Sequence, residues 1–446
     1  MSQPSRLMNR NFFLLWQGQL VSQLGSQAFL IAQMAWVKEA TESATLVGLM
    51  TMMSMLPTVV LSPLGGVVAD RYSRRAIIIL SDAITGLVVL SLVLAFVLVG
   101  PVPEAVRAAN GSVEPLSAAT QVLLGWLLAV AVAKGVAGAF FGPAIAAAIP
   151  DLVPKDKVAA ANSLQQSASQ VSTFIGQGMG GVLYSLMGAR LLFLVDGLTY
   201  LFSALSECFI QIPQVLKERA RGLGVKHAAK EFWADAVEGM GFIWRSPWVR
   251  ALVLIAAVFN FFIMPMFALL LFYVQDFLHA GVDWYGFLLA ALSIGSLLGY
   301  VIAGHPAVAR RIHGRLLVGL LVAAAVSMGV LGLIRSPHLA VALMLVVGLM
   351  IGGFNVSVIT ALQLGTPSEY RGRVFGMVWT VAGSIAPIAI GLFGVIADLI
   401  GQNIPLLFVC CAAMAAVSAV AIAARGDFQP PPAVHENGEE TAAEQE

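Results

Sequence analysis

Charge is scarce in this chain. Of its 446 residues only 11% are Asp, Glu, Lys or Arg, while 59% are hydrophobic and the mean hydropathy is +0.87. A water-soluble fold of that composition would expose large apolar surfaces, so the solvent for most of the chain is lipid. The net charge of +1 removes any bulk attraction to nucleic acid. Cysteine is rare too: Cys208, Cys410 and Cys411 all lie in apolar runs, which implies small buried hydrophobes and no disulfide framework. The six histidines, His227, His279, His305, His313, His338 and His435, fall in loops, a linker or the tail. No HExxH, GxSxG or GxxxxGK[ST] string occurs, which argues against a zinc hydrolase, a serine hydrolase and an ATP-driven pump. No cofactor or metal is expected. Alternating ten-residue strands of a membrane barrel are also missing.

What the chain does have is apolar windows of roughly 20 residues, the length at which a helix crosses a bilayer with its backbone polar groups paired. They fall at about 11–37, 45–69, 76–99, 120–148, 160–187 and 189–212, then 248–272, 284–303, 316–334, 339–362, 374–398 and 404–424. The expected fold is an all-α membrane protein of twelve transmembrane helices in two six-helix bundles. Its parts are an N-terminal cytoplasmic segment 1–10, a bundle 11–212, a linker 213–247, a bundle 248–424 and a disordered acidic tail 425–446. Arg6 and Arg10 precede the first window without a small-residue cleavage site, so that window is read as a retained span. With both termini inside, Lys and Arg crowd the cytoplasmic loops, leaving only Lys38, Arg107, Arg190 and Arg335 outside and Lys134 within a span. In the linker, Phe232, Trp233, Val237, Met240, Ile243 and Trp244 recur at helical spacing, as in an amphipathic helix on the inner membrane face or a plain tether.

The halves repeat in parallel. Residues 65–75 before the third window correspond to 304–315 before the ninth, where Arg310 and Arg311 lie. Pro154-Lys155-Asp156-Lys157 before the fifth corresponds to 367–373 before the eleventh, where Arg371 and Arg373 lie. These four arginines are the expected second-half counterpart of the first inner loop.

That loop reads Gly66-Val67-Val68-Ala69-Asp70-Arg71-Tyr72-Ser73-Arg74-Arg75. Glycine, three residues, aspartate, a basic residue, any residue, glycine and two basic residues is the loop pattern of the major facilitator superfamily, with Ser73 here at the second glycine. The chain resembles that superfamily over its twelve-span core, about residues 9–425. Phe140-Phe141-Gly142-Pro143-Ala144, Ile149-Pro150-Asp151-Leu152-Val153-Pro154 and Ala161-Asn162-Ser163-Leu164 are similar to the drug-exporter branch, which holds macrolide and siderophore efflux proteins. Two positions depart from it. Gln177 stands where the antiporter motif has proline, and Ser26 and Gln27 stand near Gly25, where branch members often carry an acid. The resemblance implies a secondary transporter of the bacterial inner membrane that alternates access and exports an amphipathic small molecule. The proton gradient is the expected driving force, and small molecule, protons and bilayer are the expected partners of a monomer. Uptake, a lipid, siderophore or metabolite cargo, a membrane scaffold or sensor, and an intramembrane enzyme stay open.

Candidate site residues fall in three groups. Gly66, Asp70, Arg71, Arg74 and Arg75 form the expected inner gate, Asp70 gaining about 0.3–2 kcal/mol from a neighbouring helix N-terminus; plain positive-inside anchoring is the alternative. Gln19, Ser22, Gln23, Ser26 and Gln27 share one face of the first span, and Asn162, Gln166, Ser169, Gln170, Thr173 and Gln177 one stripe of the fifth. Amides facing hydrocarbon are costly, so these faces turn inward, as helix-to-helix hydrogen bonds or as a wet cavity wall. Asn260 and Asn355 are the weaker second-half counterparts, and Trp379 is a candidate apolar contact for a bulky ligand. Last come the ionisable groups within spans. Lys134 lies near mid-span, suited to an anion or a titrating acid. Asp82 is placed to pair with the inner-loop arginines or to carry a proton. Asp196 and Glu207 lie toward the ends of the sixth span, where interfacial water is the simpler account.

Overall fold

The structure, a computed structural model, describes residues 7–100, 116–154, 157–212, 237, 240–304, 314–365 and 368–425. Every regular element among them is helical: α1 (Arg10–Thr41), α2 (Ala44–Arg71), α3 (Arg74–Val99), α4 (Ala118–Leu152), α5 (Val158–Glu207), α6 (Pro247–Val258), α7 (Met264–Phe272), α8 (Val282–Gly304), α9 (Gly314–Leu331), α10 (Pro337–Gly365), α11 (Ser368–Leu399) and α12 (Ile404–Ala424). Two π-helical turns, Phe259–Ile263 and Tyr273–Phe277, carry α6 and α7 on as one rod.

Local chemistry sets the helix starts. Asn9, Ser43, Ser73, Ser117 and Asn403 each accept a bond from a backbone N–H of the first turn. Gly188, at φ 69°, breaks α5 into limbs 158–187 and 189–207. By length and apolar character eight described helices can cross a membrane, with the two limbs of α5 falling in one of them. The apolar stretches of α9 and α11 are shorter, and the glutamine-rich α1 is not one of the eight. Exposed leucines and valines such as Leu98, Leu186, Val301 and Leu399 give the bundle a lipid-facing surface.

In the first half of the chain α1 packs along α5, α2 along α4, and α3 against both α4 and α5; in the second, α8 packs on α10, and α9 on α10 and α12. The halves meet along two seams, α2 with α11 and α5 with α8. Glycine makes both seams close. A Cβ on Gly48 would lie 2.8 Å from the Ile390 carbonyl oxygen, and one on Gly178 3.0 Å from the Ala290 Cβ. Gly66, by contrast, has nothing within 4 Å of where its Cβ would be. Gly48→Leu is therefore expected to weaken the α2–α11 seam by about 1–3 kcal/mol through overpacking. Thermal unfolding of the purified protein checks this, with Gly66→Ala expected to unfold like the native chain.

Most of the expected linker helix, Arg310 and Arg311, and the acidic tail lie outside the described residues, as do the side chains of Asp70, Arg371, Arg373 and Trp379. Where the linker is described, residues 240–245 are helical and Ile243 joins the main core.

Candidate functional site

The polar ties described between the halves concentrate at the end bearing the α1–α2 turn. There the Asp398 carboxylate, at the C-terminal end of α11, sits on the first turn of α2. Ser43 Oγ donates to it at 2.7 Å, the Thr45 amide at 2.8 Å and the Ala44 amide at 2.9 Å. An aspartate opposes the dipole of its own helix at that position, so its favourable field comes from the N-terminus of α2. Gln402 donates to the same carboxylate at 2.8 Å and also to the Glu42 carbonyl. Beside this latch, buried Lys38 donates to Asp276 at 2.7 Å and lies 4.9 Å from the Phe272 ring centroid.

Toward the opposite end, the halves enclose a cavity of about 1070 Å³. Gln166, Gln170 and Phe174 of α5 face Phe259, Asn260, Met264, Tyr300 and Asn355 across it. Gln170 Nε2 reaches Tyr300 Oη at 3.4 Å, and the Phe259 and Phe354 rings stack with centroids 5.4 Å apart. The described lining carries no charged side chain. Volume, aromatic walls and a few placed amides are the attributes of a site for a drug-sized amphipathic molecule.

A second polar centre lies within the first half. Lys134 Nζ of α4 donates to Asp196 Oδ2 at 2.5 Å, and the ammonium sits 3.8 Å from the Phe29 ring centroid and 5.1 Å from that of Tyr200. Ser26 Oγ of α1 lies 3.2 Å from Asp196 Oδ1 and 2.9 Å from Tyr200 Oη. Further along the same limb Ser203 Oγ lies 3.5 Å from Glu207 Oε1, in the neighbourhood of Asp82 of α3. One oxygen of Asp82 and one of Glu207 are buried without a partner.

The sequence profile of the Major Facilitator Superfamily matches residues 15–391. The chain belongs to this superfamily. It is 25% identical over 397 residues to macrolide efflux protein A of Streptococcus pyogenes, covering 88% of this chain and 90% of that protein. It is 26% identical over 393 residues to the multidrug efflux pump Tap of Mycolicibacterium fortuitum, covering 86% and 88%. Among solved structures, an inward-facing, unoccupied bacterial homologue of the human lysosomal transporter Spinster superposes with a TM-score of 0.65 at 15% identity, covering 96% of this chain and 100% of that one. A D-xylose–proton symporter superposes at 0.66 with 14% identity, covering 93% and 96%. As a member of the superfamily the chain is a multi-pass membrane transporter, not an enzyme.

In this superfamily transporter the expected polar stripes divide. Gln166, Gln170, Asn260 and Asn355 line the cavity. Gln19 instead pairs with Gln165, and Gln27 accepts from Gln177 at 2.7 Å, joining α1 to α5. Gln23 and Thr173 are not among the lining residues, and Thr173 bonds back to the Ser169 carbonyl. Asp196 and Glu207 correct the expectation of interfacial solvation. They are 0% and 1% exposed, because the limb that carries them folds back against α1 and α3. Asp82 is buried too and not paired with those arginines: Arg74 donates to Asp151 at 2.5 Å and Arg75 to the Cys208 carbonyl. Asp398, Lys38 and Asp276 escaped sequence reasoning. The available signal was an aspartate at the wrong end of its own helix.

Proposed function

We propose that this protein exports uncharged amphipathic small molecules from a bacterial cell by alternating access, driven by the proton gradient. The observation that carries the reading is the cavity between the halves. It is large and aromatic, its described walls are uncharged, and it lies on the side away from the Asp398 latch. Efflux is supported by the relatives named for it, a macrolide efflux protein and a multidrug pump.

In this reading the limbs of α5 count as two spans and α1, α9 and α11 as one each. That makes twelve crossings with both termini cytoplasmic, in bundles 11–212 and 248–424 joined by the linker 213–247. The latched end is the outer one, and the cavity faces the cytoplasm. When the outer end opens, Gly66, Asp70, Arg71, Arg74 and Arg75, with Arg310, Arg311, Arg371 and Arg373, close the inner end. The Lys134–Asp196 pair answers to protons, and the chain works as a monomer.

Cargo charge follows from the walls. Stretches 160–187, 253–275, 284–303, 338–365 and 374–397 contain no Asp, Glu, Lys or Arg. A charged ligand would lose its hydration there without a counter-charge. A flux screen in vesicles across compound classes, with and without an imposed pH gradient, tests the proposal. Neutral amphipathic compounds are expected to move and permanently charged quaternary-ammonium dyes to be left behind. Gln166→Leu and Asn260→Leu are expected to lower flux on the order of 10-fold, one or two lost hydrogen bonds each. Preferential transport of the permanent cations would contradict the reading.

A further inference from the structure

The two sides of the cavity differ in chemistry. Among the described lining residues the first half contributes α5 alone, and for about two turns its contribution is polar: Ser163, Gln166, Ser167 and Gln170, three or four residues apart, share one helix face. Across from them α10 lays Phe354, Val358, Ile359 and Leu362 along the cavity, with Phe259 stacked on Phe354. Two polar side chains on that far wall are engaged within the protein: Tyr300 accepts from Gln170 at 3.4 Å, and Asn260 donates its amide nitrogen to the Ala256 carbonyl at 2.9 Å. The polar stripe and the apolar wall run side by side, not end to end. Arg74, at the start of α3, bonds to Asp151 at the end of α4, so α5 begins where α2 ends, away from the latch. The far end of α11 reaches the latch, so α10 ends on that same side. Ser163 lies near the start of α5 and Leu362 near the end of α10, and from there stretches 163–170 and 354–362 each run about 10–12 Å into the protein, at roughly 1.5 Å per residue.

We infer that the cargo is a facial amphiphile: an uncharged plate or ring with hydroxyl, carbonyl or ether oxygens along one face and hydrocarbon on the other, bound with its polar face on α5 and its apolar face on α10. This rests on the export reading above and names its substrate class. A molecule with a polar head and an alkyl tail fits such walls poorly. Its tail leaves hydroxyls and amides of α5 without partners, each lost hydrogen bond costing on the order of 10-fold in affinity. Turned over, its head meets Phe354 and Leu362 and loses its hydration. Serine hydroxyls and glutamine amides both donate and accept, so the stripe takes several arrangements of oxygen on the bound face. The cavity, about 1070 Å³, has room for a molecule of sterol size.

The test compares two neutral epimers of identical composition: chenodeoxycholamide, whose hydroxyls lie on one face of the sterol plate, and ursodeoxycholamide, which carries one on each face. Binding of each radiolabelled compound to the full-length protein in lipid discs is measured, with empty discs as the blank. The one-face epimer is expected to bind on the order of 10-fold tighter, since its epimer gives up a hydrogen bond to α5 and presses a hydroxyl on the apolar wall. The double variant Ser167→Ala, Gln170→Leu is expected to lose that preference, while Phe354→Ala weakens both epimers alike. Ser167 is exposed, so Ser167→Ala alone keeps the fold and should narrow the preference if the double variant does not fold. Equal binding of the epimers to the native chain, or a preference that survives in the variants, overturns the inference. So does binding of neither by a protein that exports other neutral compounds in the flux screen, which leaves the export reading standing. A clear preference in a protein that exports nothing removes the export reading and keeps the two-faced site.

Discussion

Lys134→Met is expected to destabilise the protein by about 3–5 kcal/mol, the penalty for stranding a buried charge. Its partner Asp196 is fully buried, and the remaining bond to its carboxylate, from Ser26, comes from a neutral hydroxyl. Methionine keeps most of the lysine's volume against Phe29 and Tyr200, so the loss reports charge rather than a cavity. The decisive comparison is the double variant Lys134→Met, Asp196→Asn, which leaves neither charge unpaired. It is expected to recover most of the stability, as exchanges of buried pairs for neutral groups often do. Recovery of folding without recovery of pH-gradient-driven flux would mark the pair as functional. Thermal unfolding of the two single variants and the double one gives the coupling energy. A Lys134→Met protein as stable as the native chain would mean that Asp196 holds no charge in the resting structure.

The second large effect is expected at the Asp398 latch. Asp398 accepts bonds from Ser43, Ala44, Thr45 and Gln402, and hydrogen bonds to a charged group are worth about 1.5–3 kcal/mol each, offset by water when the latch opens. Asp398→Ala leaves the first amides of α2 without this acceptor and removes the negative charge from a helix N-terminus. A net loss of about 3 kcal/mol moves the balance between the two states on the order of 100-fold toward outer opening. Asp398→Asn retains an acceptor oxygen and should shift it less. Spin labels on exposed Leu98 of α3 and Leu339 of α10, at the latched ends of opposite halves, should move apart in Asp398→Ala. An unchanged distance distribution would show that the latch is incidental to closure.

The helices and the superfamily were legible in the sequence because lipid imposes long apolar windows and the first inner loop carries its own pattern. Side-chain partners were not. Lys134 stood out as a charge at mid-span, yet its partner lies 62 residues away and meets it only because α5 turns back at Gly188. The glutamines of α1 and α5 share stripes, but a stripe does not say which turn meets another helix. Gln19 and Gln27 reach across to α5, while Gln166 and Gln170 face the cavity. Asp398 stands out in the sequence only as an aspartate at the unfavourable end of its helix; its partners appear once α11 lies against the start of α2, since its role belongs to the pairing of the halves.

The central claim is a pocket that opens to one compartment at a time. A single cysteine at Asn260, in a background with Cys208, Cys410 and Cys411 replaced, puts a reactive thiol on the cavity wall. With a membrane-impermeant thiol reagent applied to either face of oriented vesicles, the resting protein should label from the cytoplasmic face alone. Adding Asp398→Ala should bring labelling from the outside. Equal labelling of the resting protein from both faces, or from neither, would contradict the account.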